Sequence, residues 1–506
     1  MGSPRFLHNS QALRAVEAMA EHASGDAFGL MRRAGQAAWR ELLAHWPEVQ
    51  RIVVVCGPGN NGGDGYALAR HAQVSGRDVR VVRLPGHAPR TDNARHAENE
   101  YRSGNGRVEA FDGKLRAADL VVDALFGIGL SREPDAETAA LIAAINRSRS
   151  PVFSLDVPSG VDADRGIVPG AAVHADRTIE FIAAHAGLTT GTALEYTGVR
   201  SLATLDLPPN MLASLPASAC LMSRDDLAAA FPPRRRNTHK GESGYVLCIG
   251  GDHGSGGAIV LCAEAALRSG AGLVSVATRD AHVGAALGRR PELMARGVAV
   301  ADDLRAMLQR ADVIALGPGL GQEGWGIALY NAAMAADKPL VVDADALNLL
   351  ALHPRKLAEG AILTPHPGEA ARLLGTTAEI VQADRFAAAQ ALCDAHRCVV
   401  VLKGAGTIVA APGELPRVIG AGNPGMAVGG MGDVLTGVIA ALRAQGRSAH
   451  DAATHGALLH AVAGDDAARD GGERGLLPSD LFAHLRRLAN APPSRAALLK
   501  PGPTQG

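Results

Sequence analysis

Lysine is scarce in this chain of 506 residues. Only six lysines occur, at positions 114, 240, 338, 356, 403 and 500, so arginine supplies most of the positive charge. A lysine beside glycine, as at Lys240 and Lys403, is therefore less readily explained as ordinary surface charge. The chain also lacks a large net charge, because its 50 Lys and Arg residues nearly balance its 51 Asp and Glu residues. Proteins that gather nucleic-acid phosphates need a basic surplus, so we expect no nucleic-acid partner.

Closely paired cysteines and long apolar runs are absent as well. The six cysteines are scattered without a CxxC pair, and Cys56, Cys248 and Cys262 lie in apolar runs that are typical of buried thiols. No apolar stretch reaches the ~18 residues of a membrane span. The first residues lack the charged start and apolar run of a secretory signal. We therefore expect a soluble, cytoplasmic protein with no membrane partner.

What the sequence does contain is a repeating alternation of two segment types. Short runs rich in Val and Ile alternate with Ala-, Leu- and Arg-rich stretches at helical spacing. The runs are Arg51–Cys56, Asp78–Val82, Leu120–Val122, Val152–Leu155, Tyr245–Ile249, Leu273–Ala277, Val313–Leu316, Leu340–Val342, Ile362–Thr364 and Cys398–Leu402. Such runs are typical of parallel strands buried on both faces and joined by helices. The pattern predicts the α/β class, as two three-layer α/β/α domains.

A proline-rich segment separates the two series of strands. Residues 207–237 contain five prolines and the run Arg234–Arg236. Such proline density interrupts central strands and helices, although Asp225–Ala230 is compatible with a short helix. We place an N-terminal domain at residues 1–210, a linker at 211–237 and a C-terminal domain at 238–495.

A glycine-rich turn follows the first strand of the N-terminal series, in the sequence CGPGNNGGDGYALAR over 56–70. Its glycines allow the backbone to approach a ligand closely, and the helix that follows favours an anion at its start. The spacing matches neither the dinucleotide fingerprint nor a Walker loop. Asn60, Asn61 and Asp64 add oxygen atoms that suit a ribose, a phosphate or a hard cation. A tight turn alone would account for two glycines, but not for five beside these polar residues.

Two further strands of the N-terminal series end in polar residues. Asp123 closes one strand, and Asp156 and Ser159 follow another in the motif SLDVPSGVDADRG. Because parallel strands end at one edge of a sheet, these side chains are expected to converge with Asn61. Oxygen ligands of this kind suit a monovalent or hard divalent cation rather than zinc. Alternatively, one carboxylate moves a proton, or the aspartates only cap helices.

Several strands of the C-terminal series also end in chemically capable residues. The motifs VVDADALNLL and LTPHPGEAARLLG place Asp343, His366 and Glu369 after strands, with His366 held between two prolines. In VVLKGAGTIVA, Lys403 opens a KGAGT turn between two strands. Its ammonium and the N–H groups of the turn suit phosphate, although a hairpin with a solvated lysine remains an alternative.

The strongest motif of the C-terminal half is NPGMAVGGMGDVLTGVIAAL over 423–442. Glycines lead into a helix that is predicted to begin near Asp433. Their N–H groups are suited to stabilise a transferring phosphoryl group, and Asp433 is suited to accept the proton of an attacking hydroxyl. A helix cap would account for Asp433 but not for GGMG.

Both halves resemble the two parts of one known enzyme family. Residues from about 10 to 210 resemble the NAD(P)H-hydrate epimerase, or YjeF N-terminal, domain with a Rossmann-like fold, through LMRRAG, GPGNNGGDG, DALFGIGL and LDVPSGVDAD. Residues from about 225 to 495 resemble the ribokinase-like NAD(P)H-hydrate dehydratase, through HKGESG, GPGLG, LTPHPGE, LKGAGT and GGMGD. The order matches the fused bacterial repair enzyme.

For the N-terminal domain, the resemblance implies interconversion of the R and S epimers of NADH or NADPH hydrated on the nicotinamide ring. It implies K⁺ bound by Asn61, Asp123 and Ser159, with Asp156 as the acid–base group. The residues implied to contact the hydrated cofactor are Asn60, Asn61, Gly62, Gly63, Asp64, Gly127, Ile128, Gly129, Leu130, Ser131, Arg132, Glu133 and Asp156.

For the C-terminal domain, the resemblance implies dehydration of the S epimer. ADP, or alternatively ATP, would phosphorylate the ring hydroxyl, with Mg²⁺ accompanying the nucleotide, and ADP would yield AMP and phosphate. Asp433 would be the base. The residues implied to bind the hydrated cofactor are Ala258, Gly319, His366 and Asp433, and those implied to bind the nucleotide are Lys403, Gly404, Ala405, Gly406, Thr407 and Gly432. Small molecules would be the partners, and the chain would form a homo-oligomer.

One alternative keeps the folds but changes the function. The C-terminal half would be a ribokinase-like kinase of a vitamin precursor, fused to a non-catalytic YjeF N-terminal binding module. The KGAGT and HPGE motifs, and the intact NNGGD and DVPSG motifs of the N-terminal half, argue against this reading.

Overall fold

The computed structural model describes residues 5–129 and 132–490. These residues divide into two compact units, one spanning Phe6–Ala219 and the other comprising Arg5 and the chain from Cys220 onward. A short strand β1 (Arg5–Leu7) opens the described chain.

The first unit contains one fully parallel sheet. Its strands are β2 (Arg51–Cys56), β3 (Asp78–Arg83), β4 (Arg107–Ala110), β5 (Leu120–Ala124), β6 (Val152–Leu155), β7 (Arg177–Phe181) and β8 (Val199–Ala203). They lie in the order β4-β3-β2-β5-β6-β7-β8, and every neighbouring pair is parallel. The strands β2, β5 and β6 are therefore adjacent, so their carboxyl ends meet at one edge.

Helices cover both faces of this sheet. They are α1 (Ser10–Ser24), α2 (Gly29–His45), α3 (Asn60–Val74), α4 (Asp92–Ser103), α5 (Ala136–Asn146) and α6 (Pro209–Ala213). Ile52 and Val54 point into a core shared with α1 to α4, whereas Val53 and Val55 point into a second core with α5. This alternation explains the continuous apolar run of β2, because a strand buried on both faces has no solvent-facing side.

The second unit contains a mixed sheet. Its strands are β9 (Ala219–Met222), β10 (Tyr245–Ile249), β11 (Leu273–Thr278), β12 (Met294–Gly297), β13 (Val313–Leu316), β14 (Leu340–Val342), β15 (Ile362–Leu363), β16 (Val399–Leu402), β17 (Ile408–Ala410) and β18 (Arg417–Ile419). They lie in the order β9-β18-β17-β16-β15-β14-β13-β10-β11-β12. Among these ten described strands, only β17 runs antiparallel to its neighbours, β16 and β18.

The helices of the second unit pack on both faces of that sheet. They are α7 (Leu227–Ala230), α8 (Gly256–Arg268), α9 (Asp280–Arg289), α10 (Arg305–Arg310), α11 (Gly324–Met334), α12 (Ala344–Leu352), α13 (Pro367–Leu374), α14 (Ala378–Ala383), α15 (Arg385–His396), α16 (Met431–Ala444), α17 (Ala449–Gly471) and α18 (Leu481–Leu488). Helices α8 and α16 pack so closely that a Cβ atom at Gly437 would collide with the carbonyl oxygen of Cys262.

The structure confirms the predicted α/β class, and the predicted apolar runs form buried strands. The strands that the sequence pattern did not predict lack a continuous apolar run or lie among prolines. The edge strands β4 and β8 leave Arg107 and Val199 exposed, so neither shows a continuous apolar run. Strand β9 lies inside the proline-rich segment, where Cys220–Met222 pairs with β18 because the prolines flank the strand rather than interrupt it.

Candidate active sites

The glycine-rich turn of the first unit connects β2 to α3 and packs against the end of β5. The N–H of Gly57 donates to the carbonyl oxygen of Ala124 at 2.9 Å. A Cβ atom at Gly57 would collide with the carbonyl oxygen of Leu125, and one at Gly62 would collide with that of Gly57. These glycines therefore let two backbone segments meet at the sheet edge, where Asn61 follows in the first turn of α3.

Asp123 is fully buried at the end of β5 and is held by a network of hydrogen bonds. The Ser159 hydroxyl donates to its Oδ1 at 2.6 Å, and the Ser159 N–H donates to its Oδ2 at 2.9 Å. The Ser154 hydroxyl donates to Oδ2 at 2.8 Å. Burial raises the pKa of Asp123, and these hydrogen bonds oppose that rise by favouring the carboxylate.

Asn61 is buried in the first turn of α3 and has unmet polar groups. Its side-chain Nδ2 and Oδ1 atoms have no hydrogen-bond partner among the described residues. A buried amide oxygen without a partner is costly, and a cation would satisfy it. The Asn61 amide oxygen, the Asp123 carboxylate and the Ser159 hydroxyl are oxygen donors of the kind that could hold the implied K⁺.

Asp156 follows β6 and is held in a strained, precise position. Its backbone adopts φ of 65°, in the left-handed region. The side-chain Oδ1 lies 2.9 Å from Nε2 of His185, and Oδ2 accepts from the N–H of Ile128 at 3.3 Å. A Cβ atom at Gly127 would lie 2.6 Å from Oδ2, so this glycine leaves room for the carboxylate.

A cavity of about 460 Å³ opens over these residues. Of the predicted contacts, Asn60, Asn61, Asp64, Gly127, Ile128, Gly129 and Asp156 line it. Burial, followed by the charge of Asp156, raises the pKa of Asp64 well above its usual range. The same two causes raise the pKa of Glu17 to about 7. The cavity therefore combines the Asp156 carboxylate with two acids whose protonated forms are favoured.

Other predicted contacts lie elsewhere. Gly62 and Gly63 are packing positions, because a Cβ atom at Gly63 would meet the Met31 side chain. Arg132 and Glu133 do not line the cavity, and Glu133 lies against Gly170 instead. Leu130 and Ser131 lie outside the described residues.

In the second unit, Lys403 is the centre of a buried ion-pair network. Its Nζ lies 2.7 Å from Oδ1 of Asp343, which follows β14, and 3.7 Å from Oε2 of Glu369. The Thr436 hydroxyl donates to Oδ2 of Asp343 at 2.8 Å. Burial lowers the pKa of Lys403, but Asp343 and Glu369 outweigh it, so the net shift is upward. Lys403 is therefore a fixed ammonium rather than a solvated side chain.

The second-unit motif GGMGD brings Asp433 to the same place. Helix α16 begins at Met431, after Gly430 with φ of 96°. A Cβ atom at Gly432 would lie 3.2 Å from Nζ of Lys403. Burial and the neighbouring charge of Asp343 raise the pKa of Asp433 to about 7, although Lys403 opposes that rise. A carboxyl group with a pKa near neutrality is suited to act as a general base.

His366 caps α13 at the rim of this network. Its Nδ1 accepts from the Gly368 N–H at 3.0 Å, and its own N–H donates to Oε2 of Glu369 at 2.8 Å. Burial lowers the pKa of His366. The ring is therefore favoured in its neutral form, and its half-exposed side chain places Nε2 3.5 Å from Oε1 of Glu369.

The remaining predicted residues of the second unit lie at neighbouring turns. Gly319 adopts φ of 59° and its carbonyl oxygen accepts from the Ser255 hydroxyl at 2.9 Å, which brings the loop after β13 to the start of α8, where Ala258 lies. In the turn after β16, the Thr407 hydroxyl donates to the carbonyl oxygen of Gly404 at 3.0 Å. Gly404, Ala405 and Gly406 complete this turn.

Some residues of both sites were not assigned a role from sequence. His185 and Glu17 are isolated in sequence from the glycine motifs, so no spacing pattern marks them. Asp343 follows a strand, but its pairing with Lys403 depends on the order of strands in the sheet.

Comparison with known proteins gives both units the same assignment. Residues 27–187 match the family model described as YjeF-related protein N-terminus, and residues 246–487 match that of NAD(P)H-hydrate dehydratase. The bifunctional NAD(P)H-hydrate repair enzyme of Coxiella burnetii is 46% identical over 96% of this chain and 99% of its own. The chain belongs to the bifunctional NAD(P)H-hydrate repair enzyme family. The Escherichia coli member is 43% identical over 92% of this chain and 90% of its own.

Solved structures agree for the second unit of this repair-enzyme family member. A hypothetical protein of Streptococcus mutans has 32% identity and a TM-score of 0.50, covering 53% of this chain and 98% of its own. A ribokinase-like superfamily protein of Enterococcus faecalis has 31% identity and a TM-score of 0.50, covering 53% and 94%. The family models and the curated relatives confirm the predicted family, and the kinase alternative is not favoured. Within residues 5–129 and 132–490, no helix combines the length and apolarity needed to cross a bilayer.

Proposed function

We propose that the first unit interconverts the R and S epimers of hydrated NADH or NADPH at the cavity around Asp156. Epimerisation at the hydroxyl-bearing ring carbon requires a proton to reach the departing oxygen and another to leave the returning water. The observation that carries this proposal is the position of the Asp156 carboxylate on the cavity wall beside Asn60, Asn61 and Asp64. We assign Asp156 as the acid–base group and these neighbours as binding residues.

K⁺ is proposed to bind Asn61, Asp123 and Ser159. When bound, K⁺ would supply a positive charge that attracts the phosphates of the hydrated cofactor. The unpartnered Asn61 amide and the buried Asp123 carboxylate support this assignment. These residues also join the ends of β2, β5 and β6, so they fix the wall of the cavity.

His185 is proposed to position the Asp156 carboxylate through the hydrogen bond between its Nε2 and Oδ1 of Asp156. It is fully buried, and burial lowers its pKa, but Asp156 and Glu180 outweigh burial and raise it overall. The substitution His185→Gln keeps a donor but removes the positive charge. Because charged hydrogen bonds are stronger than neutral ones, epimerisation is expected to slow about tenfold.

Stopped-flow pH profiles of epimerisation check this role. The parental rate should decline on the alkaline side as His185 loses its proton, and His185→Gln should lack that decline. The exposed His174→Gln serves as the control with unchanged behaviour. Parental and His185→Gln profiles of the same shape would contradict the assignment.

We propose that the second unit dehydrates the S epimer through a phosphorylated intermediate. Hydroxide is a poor leaving group, so the ring hydroxyl first attacks a nucleotide phosphoryl group. Phosphate then leaves as the ring nitrogen donates electrons, and loss of a proton from the neighbouring ring carbon restores the double bond. Asp433 accepts the hydroxyl proton. The supporting observation is that Gly432 at the start of α16 lies against Lys403, which places a base and a fixed cation together.

The proposed ligand positions follow from the same geometry. The nucleotide is proposed to contact Lys403, Gly432 and the turn Gly404, Ala405, Gly406 and Thr407. The hydrated cofactor is proposed to contact Ala258, Gly319, His366 and Asp433. Mg²⁺ would accompany the nucleotide phosphates. ADP is the proposed donor, giving AMP and phosphate, with ATP as the alternative.

The donor is tested with purified protein, the S epimer and either ADP or ATP. With ADP, reduced-nicotinamide absorbance should recover while AMP and phosphate appear in equal amounts. Chromatography of the nucleotides and a phosphate assay measure both products. Recovery with ATP alone would reverse the donor assignment, and a phosphorylated product that never loses phosphate would favour a kinase.

We also propose the domain boundaries 1–210, 211–237 and 238–495, a cytoplasmic location and a homo-oligomer. The change of compact unit between Ala219 and Cys220 supports a linker in this region. The buried sulfur atoms of Cys248 and Cys262 lie 4.0 Å apart as free thiols, which fits a reducing compartment.

A further inference from the structure

The second unit contains a large cavity that neither proposed active site uses. Its volume is about 1250 Å³, and it is lined by the segment after α7 and by the ends of α8, α16 and α18. Helices α8 and α16 begin at the dehydratase site, near Ala258 and Asp433, and end at this cavity. At 1.5 Å per residue, the 14 residues of α16 separate the two places by about 20 Å.

The wall of this cavity carries an excess of arginine. Six arginines and three glutamates line it: Arg234, Arg235, Arg268, Arg290, Arg447, Arg486, Glu242, Glu264 and Glu292. Two of the arginines are neutralised locally, because Arg235 pairs with Glu242 and Arg290 pairs with Glu264. The other four have no carboxylate partner within ion-pair distance among the described residues.

None of the hydrogen bonds of these four arginines within the described residues goes to a carboxylate, although Asp451 attracts the charge of Arg447 from a greater distance. Arg234 donates to the carbonyl oxygen of Gly270 at 2.5 Å, and Arg447 donates to the carbonyl oxygen of Ala230. Both acceptors are neutral. Arg268 and Arg486 have no side-chain hydrogen bond within the described part of the chain, and Arg268 is only partly exposed.

The helix ends account for only part of this charge. Three helices end at the cavity, and each C-terminus carries roughly half a negative charge, or about 1.5 together. Glu292 and these helix ends offset part of the positive charge of the four arginines. An excess of about 1.5 positive charges therefore remains at the wall. In a chain whose net charge is −1, this concentration is local.

The remaining wall is apolar. Phe231, Pro232, Pro233 and Leu267 line the cavity, and the guanidinium of Arg447 lies 5.1 Å from the centre of the Phe231 ring. A single inorganic phosphate would leave this surface uncovered. A nucleotide-sized molecule fits the volume, since pockets for small organic ligands span roughly 300–1000 Å³.

We propose that this cavity is a second anion site, which binds a small organic polyphosphate by its phosphate groups. One guanidinium group can donate two parallel hydrogen bonds to two oxygens of a phosphate. Arginine therefore suits this ligand better than lysine would. The apolar wall contacts the carrier of the phosphates. The site is independent of the proposed catalytic functions, because none of its lining residues belongs to the Asp433 or Lys403 network.

Isothermal titration of the full chain with inorganic tripolyphosphate, at low ionic strength, tests this proposal. The double substitution Arg268→Ala/Arg486→Ala should weaken one binding event about tenfold or more. The control Arg305→Ala/Lys338→Ala removes the same charge from positions outside the cavity, one exposed and one partly exposed, and should change the affinity less than twofold. The single substitution Arg486→Ala should weaken binding about threefold. Because this side chain is exposed, the variant should remain folded, so weaker binding cannot be attributed to unfolding.

Three results would overturn the site. The first is no tripolyphosphate binding at millimolar concentration. The second is equal weakening in the cavity and control variants. The third is an unchanged affinity together with a changed oligomeric state by light scattering, which would mean that an acidic segment of a second copy occupies the cavity. Dehydratase rates measured on the same preparations report on the proposed function separately.

Discussion

Replacing Asp433 by Asn is expected to abolish nucleotide-dependent dehydration while epimerisation continues. Asn preserves the shape of the side chain but cannot accept the hydroxyl proton, and a lost general base costs up to about 10⁴-fold in rate. We expect a loss of about 10³-fold or more. Recovery of reduced-nicotinamide absorbance from the pure S epimer with ADP measures it.

The control for this substitution is Asp384→Asn. Asp384 also lies at a helix start, where it caps α15, and Asn is an equally good cap. Its dehydration rate should equal the parental rate. Dehydration retained in Asp433→Asn would remove Asp433 from the role of base.

The elevated pKa of Asp433 also predicts a pH dependence. The carboxylate is the active form of a base, so kcat/KM for dehydration should fall about tenfold per unit as pH drops below about 7. Burial is the main cause of this elevated pKa, with Asp343 second. A kcat/KM that is constant between about pH 5 and pH 8 would contradict this assignment.

Replacing Asp156 by Asn is expected to stop epimer exchange while dehydration of the S epimer proceeds at the parental rate. Asn tolerates the left-handed backbone at this position and can still contact His185, so the fold should survive. The lost acid–base group should slow exchange by about 10³-fold. Chromatographic separation of the two epimers over time measures the exchange.

Asp135→Asn is the matched control for this site. Asp135 caps α5 in the same unit, and its side chain accepts from the Thr138 N–H, a bond that Asn retains. Exchange should be unchanged in this control. If Asp156→Asn still consumes both epimers at the parental rate when exchange limits turnover, another group performs the proton transfer.

The sequence predicted the central strands and the glycine motifs because each has a local cause. A strand buried on both faces, such as β10, needs an unbroken apolar run, and a turn where two backbones meet, such as that at Gly57, needs glycine. Asp433 was recognisable because GGMG immediately precedes it. These features require no knowledge of distant partners.

The rest depends on tertiary contacts. His185 contacts Asp156 only because the segment after β7 folds over the end of β6, and Glu17 approaches the cavity from α1. Lys403 was singled out by its rarity, yet its buried partner Asp343 follows a different strand, separated from β16 by β15. A single sequence carries no periodic signal for such pairs.

A complementation assay most directly tests the claim that one chain holds two separate active sites. Mixed R and S epimers are incubated with ADP and either variant alone, or with Asp156→Asn and Asp433→Asn combined. Asp433→Asn alone should restore almost no absorbance, and Asp156→Asn alone should restore the S share while the R share follows only slowly. The mixture should restore both shares at close to the parental rate, whereas failure of the mixture to exceed Asp156→Asn alone would contradict two independent sites.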